Sequence, residues 1–289
     1  MLALLYITMQ VFNTNIALEE FIAECRANHQ SIGFVPTMGA LHLGHMSLVN
    51  RGLEENDVVI CSIYVNPTQF NNQADLSNYP RSLDTDIALL QKSKCTAVFG
   101  PNTSELYPDE VKSDEFDFGN LESTMEGKYR PGHFKGMATV VKKLLLAVNA
   151  DRAYFGEKDF QQLIIIKELV RREKMPVEII GCPIVREMDG LAMSSRNVRL
   201  NAPQRHAASG IHEALIELKG RSNIKKLKSS LAKAIETINA HPHLAVEYLE
   251  IVDAESLQPI TDWSDAKSAR AFAAVLAGET RLIDNILLY

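Results

Sequence analysis

Two histidines three residues apart, His42 and His45, bracket a glycine in the run Pro36-Thr37-Met38-Gly39-Ala40-Leu41-His42-Leu43-Gly44-His45. Imidazole N–H groups donate hydrogen bonds to oxyanions near neutral pH. The run follows the apolar stretch Ser31-Ile32-Gly33-Phe34-Val35, so the pattern predicts a buried strand, a glycine-containing turn and a helix beginning near Gly44-His45. A helix start carries unpaired backbone N–H groups and the positive end of the dipole, and both favour phosphate. Glycine at position 44 leaves room for a nucleotide to lie against backbone that any side chain would obstruct. The chemistry on offer is electrostatic, a set of donors for phosphate charge.

Four further segments carry matching residue types. In Phe155-Gly156-Glu157-Lys158-Asp159-Phe160-Gln161-Gln162, Gly156 permits close approach, Lys158 is a mobile cation for phosphate and Gln162 is a two-sided amide. An ordinary exposed helix N-terminus has the same composition, and Asp159 needs no catalytic role there. In Arg186-Glu187-Met188-Asp189-Gly190-Leu191-Ala192-Met193-Ser194-Ser195-Arg196-Asn197, Asp189-Gly190 signals a turn. Ser194, Ser195 and Arg196 bring two hydroxyls and a guanidinium suited to a polyphosphate, and Met193 suits an adenine ring or a core gap. The same stretch also reads as a hinge loop with a capping serine. Glu126-Gly127-Lys128-Tyr129-Arg130-Pro131-Gly132-His133-Phe134-Lys135-Gly136 is dense in glycine, cations and aromatics, and Asn66-Pro67-Thr68-Gln69-Phe70 is a plausible strand exit. Each is weak alone; their recurrence after strand ends is the signal.

Positioning such residues requires a sheet. Val58 to Val65 is a continuous apolar run that ends in Asn66-Pro67, as a strand buried on both faces does. Short strands are also expected at 97–99, 153–155 and 177–181, and helices at 16–28, 43–54, 84–93, 136–148 and 159–173. This alternation predicts an α/β domain with a Rossmann-like, doubly wound parallel sheet, whose ligands bind beyond the carboxyl ends of the strands. After about residue 184 the pattern changes to helices at 203–219 and 224–240, an alternating strand at 246–252, and a hairpin of 269–276 with 281–288 across Gly278-Glu279. The expected division is therefore a first domain over 1–184 and a smaller α+β lid domain with an antiparallel sheet over 185–289.

Composition narrows the partners. Of 289 residues, 46% are hydrophobic and 23% charged, which is ordinary for a soluble globular protein. The net charge of −6 gives no general attraction to nucleic acid. The four cysteines, Cys25, Cys61, Cys95 and Cys182, are widely spaced and form no C-x-x-C pair, which argues against a zinc site or disulfide framework and fits a reducing cytoplasm. Residues 1–8 are apolar but lack a basic n-region and are too short to span a bilayer, so no signal peptide or membrane anchor is expected. Met9-Gln10-Val11-Phe12 reads as an alternative start, which would make the first eight residues a ragged extension.

Six segments in order, PTMGALHLGH, SIYVNPTQF, YPR (Tyr79 to Arg81), GKYRPGHFKG, FGEKDFQQL and VREMDGLAMSSRN, closely resemble the pantothenate synthetase family, the AMP-forming pantoate–β-alanine ligases. They cover most of residues 31–200, and the tail resembles the family in layout more than in motif. The H-x-G-H element alone is similar to a wider superfamily, so the alternative is another adenylyl- or nucleotidylyltransferase with a different small-molecule acceptor. The resemblance implies ATP as co-substrate, Mg²⁺ as cofactor, a pantoyl-adenylate intermediate and a homodimer. By the same resemblance, His42, His45, Lys158, Ser194, Ser195 and Arg196 are catalytic. ATP falls to Met38, Gly39, His45, Gly156, Lys158, Asp159, Val185, Met193 and Ser194 to Arg196; pantoate falls to Pro36, Met38, Gln69, Arg130, His133 and Gln162. Family members can carry an acidic pair after YPR near the metal; here the segment reads Asp84-Thr85-Asp86, and Asp86 is the expected contact to the metal or its waters.

Overall fold

A computed structural model describes residues 9–222 and 224–289; the expected ragged extension, residues 1–8, lies outside the described residues. In chain order the elements are β1 (Gln10–Phe12), α1 (Asn15–Ala27), β2 (Ile32–Thr37), α2 (Leu43–Glu55), β3 (Val58–Ile63), α3 (Gln73–Ser77), α4 (Leu83–Lys92), β4 (Ala97–Phe99), α5 (Thr103–Leu106), α6 (Met125–Tyr129) and α7 (His133–Val148). There follow β5 (Arg152–Gly156), α8 (Phe160–Glu173), β6 (Glu178–Cys182), α9 (Ala202–Ala208), α10 (Gly210–Arg221), α11 (Leu227–Asn239), β7 (Leu244–Asp253), β8 (Ala269–Ala277) and β9 (Thr280–Leu287).

These residues form two compact units. One holds the chain up to Asp117, Gly132–Gly156 and Leu163–Cys182; the other holds Phe118–Pro131, Glu157–Gln162 and Pro183–Tyr289. Two short segments that precede the expected boundary at 184/185 thus group with the C-terminal residues.

In the first unit, unbroken apolar runs make the sheet. β3 buries Val58 through Ser62 and β2 buries Ile32 through Val35, as strands covered on both faces must. The strand order is β1-β4-β3-β2-β5-β6 with every pair parallel, which is the Rossmann-like architecture expected. Winding reverses between β2 and β5, so the turn leaving β2 sits at the switch point where such sheets take ligands. Strand β1 was not expected. Its three residues pair with Ala97, Val98 and Phe99 at the sheet edge, and three residues are too few to display a period-two pattern.

The second unit contains an antiparallel sheet in the order β7-β8-β9, with the predicted hairpin closing at Gly278 (φ +62°). Its core joins Ile211, Leu215 and Leu218 of α10 and Ile238 of α11 to Ala271, Ala273 and Val275 of β8. The single helix expected at 203–219 is two, α9 and α10, joined at Ser209.

Candidate active site

The turn after β2 is tied down by side chains. Thr37 Oγ1 donates to Ser62 O (2.6 Å) and accepts from Gly39 N (3.2 Å). Gly39 (φ +80°) and Ala40 (φ +50°) then reverse the chain through two consecutive left-handed residues, a conformation that is costly for alanine. Asp86 of α4, 2% exposed, accepts from Ala40 N through Oδ2 and from Leu41 N through Oδ1, both at 2.8 Å. Ser82 Oγ donates to Oδ1 of the same carboxylate at 3.2 Å.

Helix α2 starts at Leu43, where the expected helix over 43–54 begins, with His42 as its N-cap. His42 Nδ1 accepts from Gly44 N (3.1 Å), while His42 N donates to His45 Nδ1 (3.3 Å). This is a capping box made by two imidazoles in place of the usual hydroxyl and carboxylate, with ring centroids 4.1 Å apart. An Nδ1 that accepts from backbone N–H carries no proton, so each neutral ring is assigned the Nε2–H tautomer.

The geometry corrects one expectation. The amides of Gly39, Ala40, Leu41, His42 and Gly44 all donate inside the protein, to Thr37, Asp86, His45 and His42. The backbone anion cradle expected here is therefore filled by the protein's own acceptors. Asp86, expected near a metal, has both carboxylate oxygens engaged by those amides.

The first unit also assembles an amide cluster. Asn66, fully buried, donates through Nδ2 to Gln69 Oε1 (3.2 Å) and Gly136 O (3.0 Å) and accepts from Tyr107 OH (2.8 Å). Gln69 Nε2 donates to Met38 Sδ (3.0 Å), and His133 Nδ1 donates to Gln69 O (2.9 Å). Three of the residues expected at pantoate, Met38, Gln69 and His133, are thus brought together. Gly136 allows it, since a Cβ there would lie 2.2 Å from Thr68 O. Pro36 is half-buried in β2, and Gly156 ends β5 where a Cβ would meet nothing within 4 Å.

In the second unit, Lys158 sits in a one-turn 3₁₀ segment, Glu157–Asp159, with its Nζ 3.8 Å from Asp159. Asn285 of β9, 1% exposed, donates through Nδ2 to the carbonyls of both Glu157 and Lys158 at 2.9 Å. Arg270 of β8 donates to Asn285 Oδ1 and stacks 3.8 Å over the Phe160 ring. The pairing Met193 N to Val185 O (3.0 Å) joins two residues expected around adenine. Ser194 caps the 3₁₀ segment Ser195–Arg199, its Oγ accepting from Arg196 N (3.3 Å). Gln162, also in this unit, is half-buried.

Arg130 belongs to a buried ionic cluster. It donates to Glu126 (3.3 Å), which Arg281 of β9 grips through two nitrogens at 2.7 and 2.8 Å and Tyr248 OH approaches to 2.8 Å. Burial pushes the Glu126 carboxyl up, but Arg281, Arg130 and Tyr248 together hold it at about 2. Burial lowers the Arg130 guanidinium; Glu126 opposes that, and the charges of Arg196 and Arg281 add to it. Arg130 and Arg196, both expected at substrate, therefore repel one another, a strain that an anion relieves. Glu126 and Asn285 carried no functional signal in the sequence, although Glu126 is the first residue of a segment that did.

Among the described residues no group of three or more His, Cys, Asp or Glu side chains is arranged to hold a metal ion, and no helix is long and apolar enough to cross a membrane.

A parallel sheet with an H-x-G-H turn at its switch point is the arrangement of the Rossmann-like, nucleotide-handling α/β proteins. The chain matches the pantoate-β-alanine ligase family over residues 10–287 and belongs to that family of ligases. It is 49% identical over 278 residues to the pantothenate synthetase of Porphyromonas gingivalis, covering 96% of this chain and 99% of the relative. The Phocaeicola vulgatus pantothenate synthetase is 48% identical over 279 residues, at the same coverages. In structure the chain resembles pantothenate synthetase from Thermus thermophilus with a TM-score of 0.88 and 42% identity, covering 97% of this chain and 100% of that one. A pantoate-β-alanine ligase from Francisella tularensis, solved in complex with "Beta-gamma ATP" and β-alanine, gives a TM-score of 0.81 and 37% identity, with 97% and 98% covered.

Proposed function

We infer that this chain condenses pantoate with β-alanine, converting ATP to AMP and pyrophosphate through a pantoyl adenylate. The observation that carries the reading is the paired-histidine cap at the switch point, which fixes both rings as Nε2–H donors. In the first step a pantoate carboxylate oxygen bonds to the α-phosphorus of ATP, the bond from that phosphorus to the bridging oxygen breaks, and pyrophosphate leaves. In the second step the β-alanine amine attacks the acyl carbon, the acyl C–O bond breaks, AMP leaves and the amine loses a proton. No protein nucleophile is required, because the substrate supplies it. The protein's task is to hold the reactants and to meet charge as it develops on phosphate oxygens.

In this reading His42 and His45 donate to those oxygens, with Lys158, Ser194, Ser195 and Arg196 serving the α-phosphate and the departing pyrophosphate. Gln69, Met38 and His133 receive pantoate, together with Pro36, Arg130 and Gln162; amides suit its hydroxyls. Met38 and Gly39 also contact ATP, as do Gly156, Asp159, Val185 and Met193, the last two flanking adenine. Mg²⁺ would accompany the nucleotide and would supply neutralising charge to its phosphates. The chain acts as a homodimer in the cytoplasm, the latter supported by four buried free cysteines.

The test is the product profile with ATP, Mg²⁺ and pantoate whose carboxylate carries ¹⁸O, with and without β-alanine. Pantothenate and stoichiometric AMP that bears one label are the expected result. Absence of pantoate-dependent ATP turnover by folded protein, or unlabelled AMP, overturns it.

A further inference from the structure

The carboxylate that follows the YPR segment faces its own chain. Asp86 is 2% exposed, and its two oxygens divide between two adjacent amides, Ala40 N and Leu41 N, at 2.8 Å each. A charge-assisted bond to each of two neighbouring N–H groups is a strong and directional arrangement. The residues it holds are those that most need holding. Gly39 at φ +80° and Ala40 at φ +50° form a left-handed pair, a region that is strained for alanine. The clamp fits closely: a Cβ on Gly39 would stand 3.0 Å from Asp86 Oδ2. The residue that follows the clamped Leu41 is His42, where the imidazole capping box begins. The direction in which both rings leave the backbone is thus set by the turn, and the turn is set by Asp86.

We propose that Asp86 is a positioning residue, which acts through the Gly39–Leu41 turn to aim His42 and His45, and not a ligand of the metal that accompanies the nucleotide. Ser82 Oγ also donates to Oδ1 of this carboxylate, at 3.2 Å, and helps to orient it. Metal coordination would need an oxygen lone pair directed away from the loop and open to solvent, whereas this group is buried with both oxygens engaged. The proposal rests on the ATP-dependent ligase reading.

Asp86→Asn tests it, because the isosteric amide can accept from only one of the two N–H groups and turns a donor towards the other. Three quantities are read on the variant and the parent: kcat/KM for ATP, the Mg²⁺ activation constant at fixed ATP, and the affinity for AMP measured without metal. The expected result is a loss of about tenfold or more in kcat/KM and in metal-free AMP affinity, with the Mg²⁺ constant unchanged. A raised Mg²⁺ constant with AMP affinity intact overturns the proposal, as does a variant that matches the parent in all three. If Asp86→Asn does not fold, Ser82→Ala keeps the carboxylate but removes the hydroxyl bond that orients it towards the two amides. A smaller loss of AMP affinity with an unchanged Mg²⁺ constant supports the positioning role, and unchanged AMP affinity contradicts it. A parent protein without pantoate-dependent turnover would instead defeat the ligase reading, while the metal-free AMP comparison would still judge Asp86.

Discussion

His42 and His45 cap the same helix through each other: His42 N donates to His45 Nδ1 at 3.3 Å, and the His42 ring accepts from Gly44 N at 3.1 Å. One pair of bonds satisfies orphan donors at the start of α2 and fixes both tautomers, so helix stability and proton placement share their residues. His45→Ala is expected to lower kcat by about a hundredfold, as for loss of one preorganised donor. It should also cost about 1 kcal/mol of stability as a lost cap. Pyrophosphate release and a thermal melt measure the two effects. Lys158→Ala should reproduce the first without the second; turnover near that of the parent in either variant would remove these residues from their assigned roles.

Asn285→Ala removes the donor that serves the carbonyls of Glu157 and Lys158. Two part-buried acceptors then lose this donor, at a cost of up to about 1 kcal/mol each. Because Lys158 hangs from the freed backbone, kcat should fall about tenfold while KM for pantoate stays within twofold. Steady-state kinetics in pantoate and in ATP separate the outcomes, and an unchanged kcat would show that the 3₁₀ segment holds its shape unaided.

Gly136→Ala places a methyl group 2.2 Å from Thr68 O, a backbone atom that cannot move without shifting Gln69 beside it. Overpacking of this kind costs about 1–3 kcal/mol. KM for pantoate should rise at least several-fold, with KM for ATP much less affected. Equal changes in both would argue that the Asn66–Gln69–Met38 cluster does not serve pantoate.

The Glu126–Arg281 pair predicts a pH dependence of stability. The Glu126 carboxyl is held at about 2 in the folded chain, below its ordinary value of 4.5. A depressed folded pKa contributes stability that is fully present above the unfolded value and is lost as pH falls through the folded one. Denaturant titrations should therefore show this contribution draining away between about pH 5 and pH 2. Glu126→Gln should flatten that part of the profile. At neutral pH the same substitution should destabilise the protein by about 3–5 kcal/mol, because Arg281 and Arg130 are left with less compensation for their buried charge. A profile of unchanged slope would show that other carboxylates carry the acid response.

How much of this was legible in the sequence follows the range of the interactions involved. The buried strands announced themselves as runs of apolar residues, and Gly278-Glu279 marked the hairpin, because strand burial and turn geometry are local demands on residue type. The edge strand Gln10–Phe12 escaped, since its three residues are made a strand only by Ala97–Phe99 beside them. His42, His45 and Gln69 were visible as candidates because short spacing, glycine and strand ends are features of the chain itself. That His42 and His45 cap one helix depends only on local spacing as well, yet histidine is not the residue type by which a capping box is ordinarily recognised.

What the sequence alone determined was the alternation of strands and helices, the change of pattern after about residue 184, and the chemical types gathered at strand ends. Only the tertiary structure decided the partners. Asp86 lies 46 residues from the amide of Ala40 that it binds, Arg281 155 residues from Glu126, and Asn285 127 residues from Lys158. A carboxylate reads the same whether it meets a metal, a backbone amide or a guanidinium. Its role is set by which group folding brings within 3 Å, and no local pattern encodes that choice.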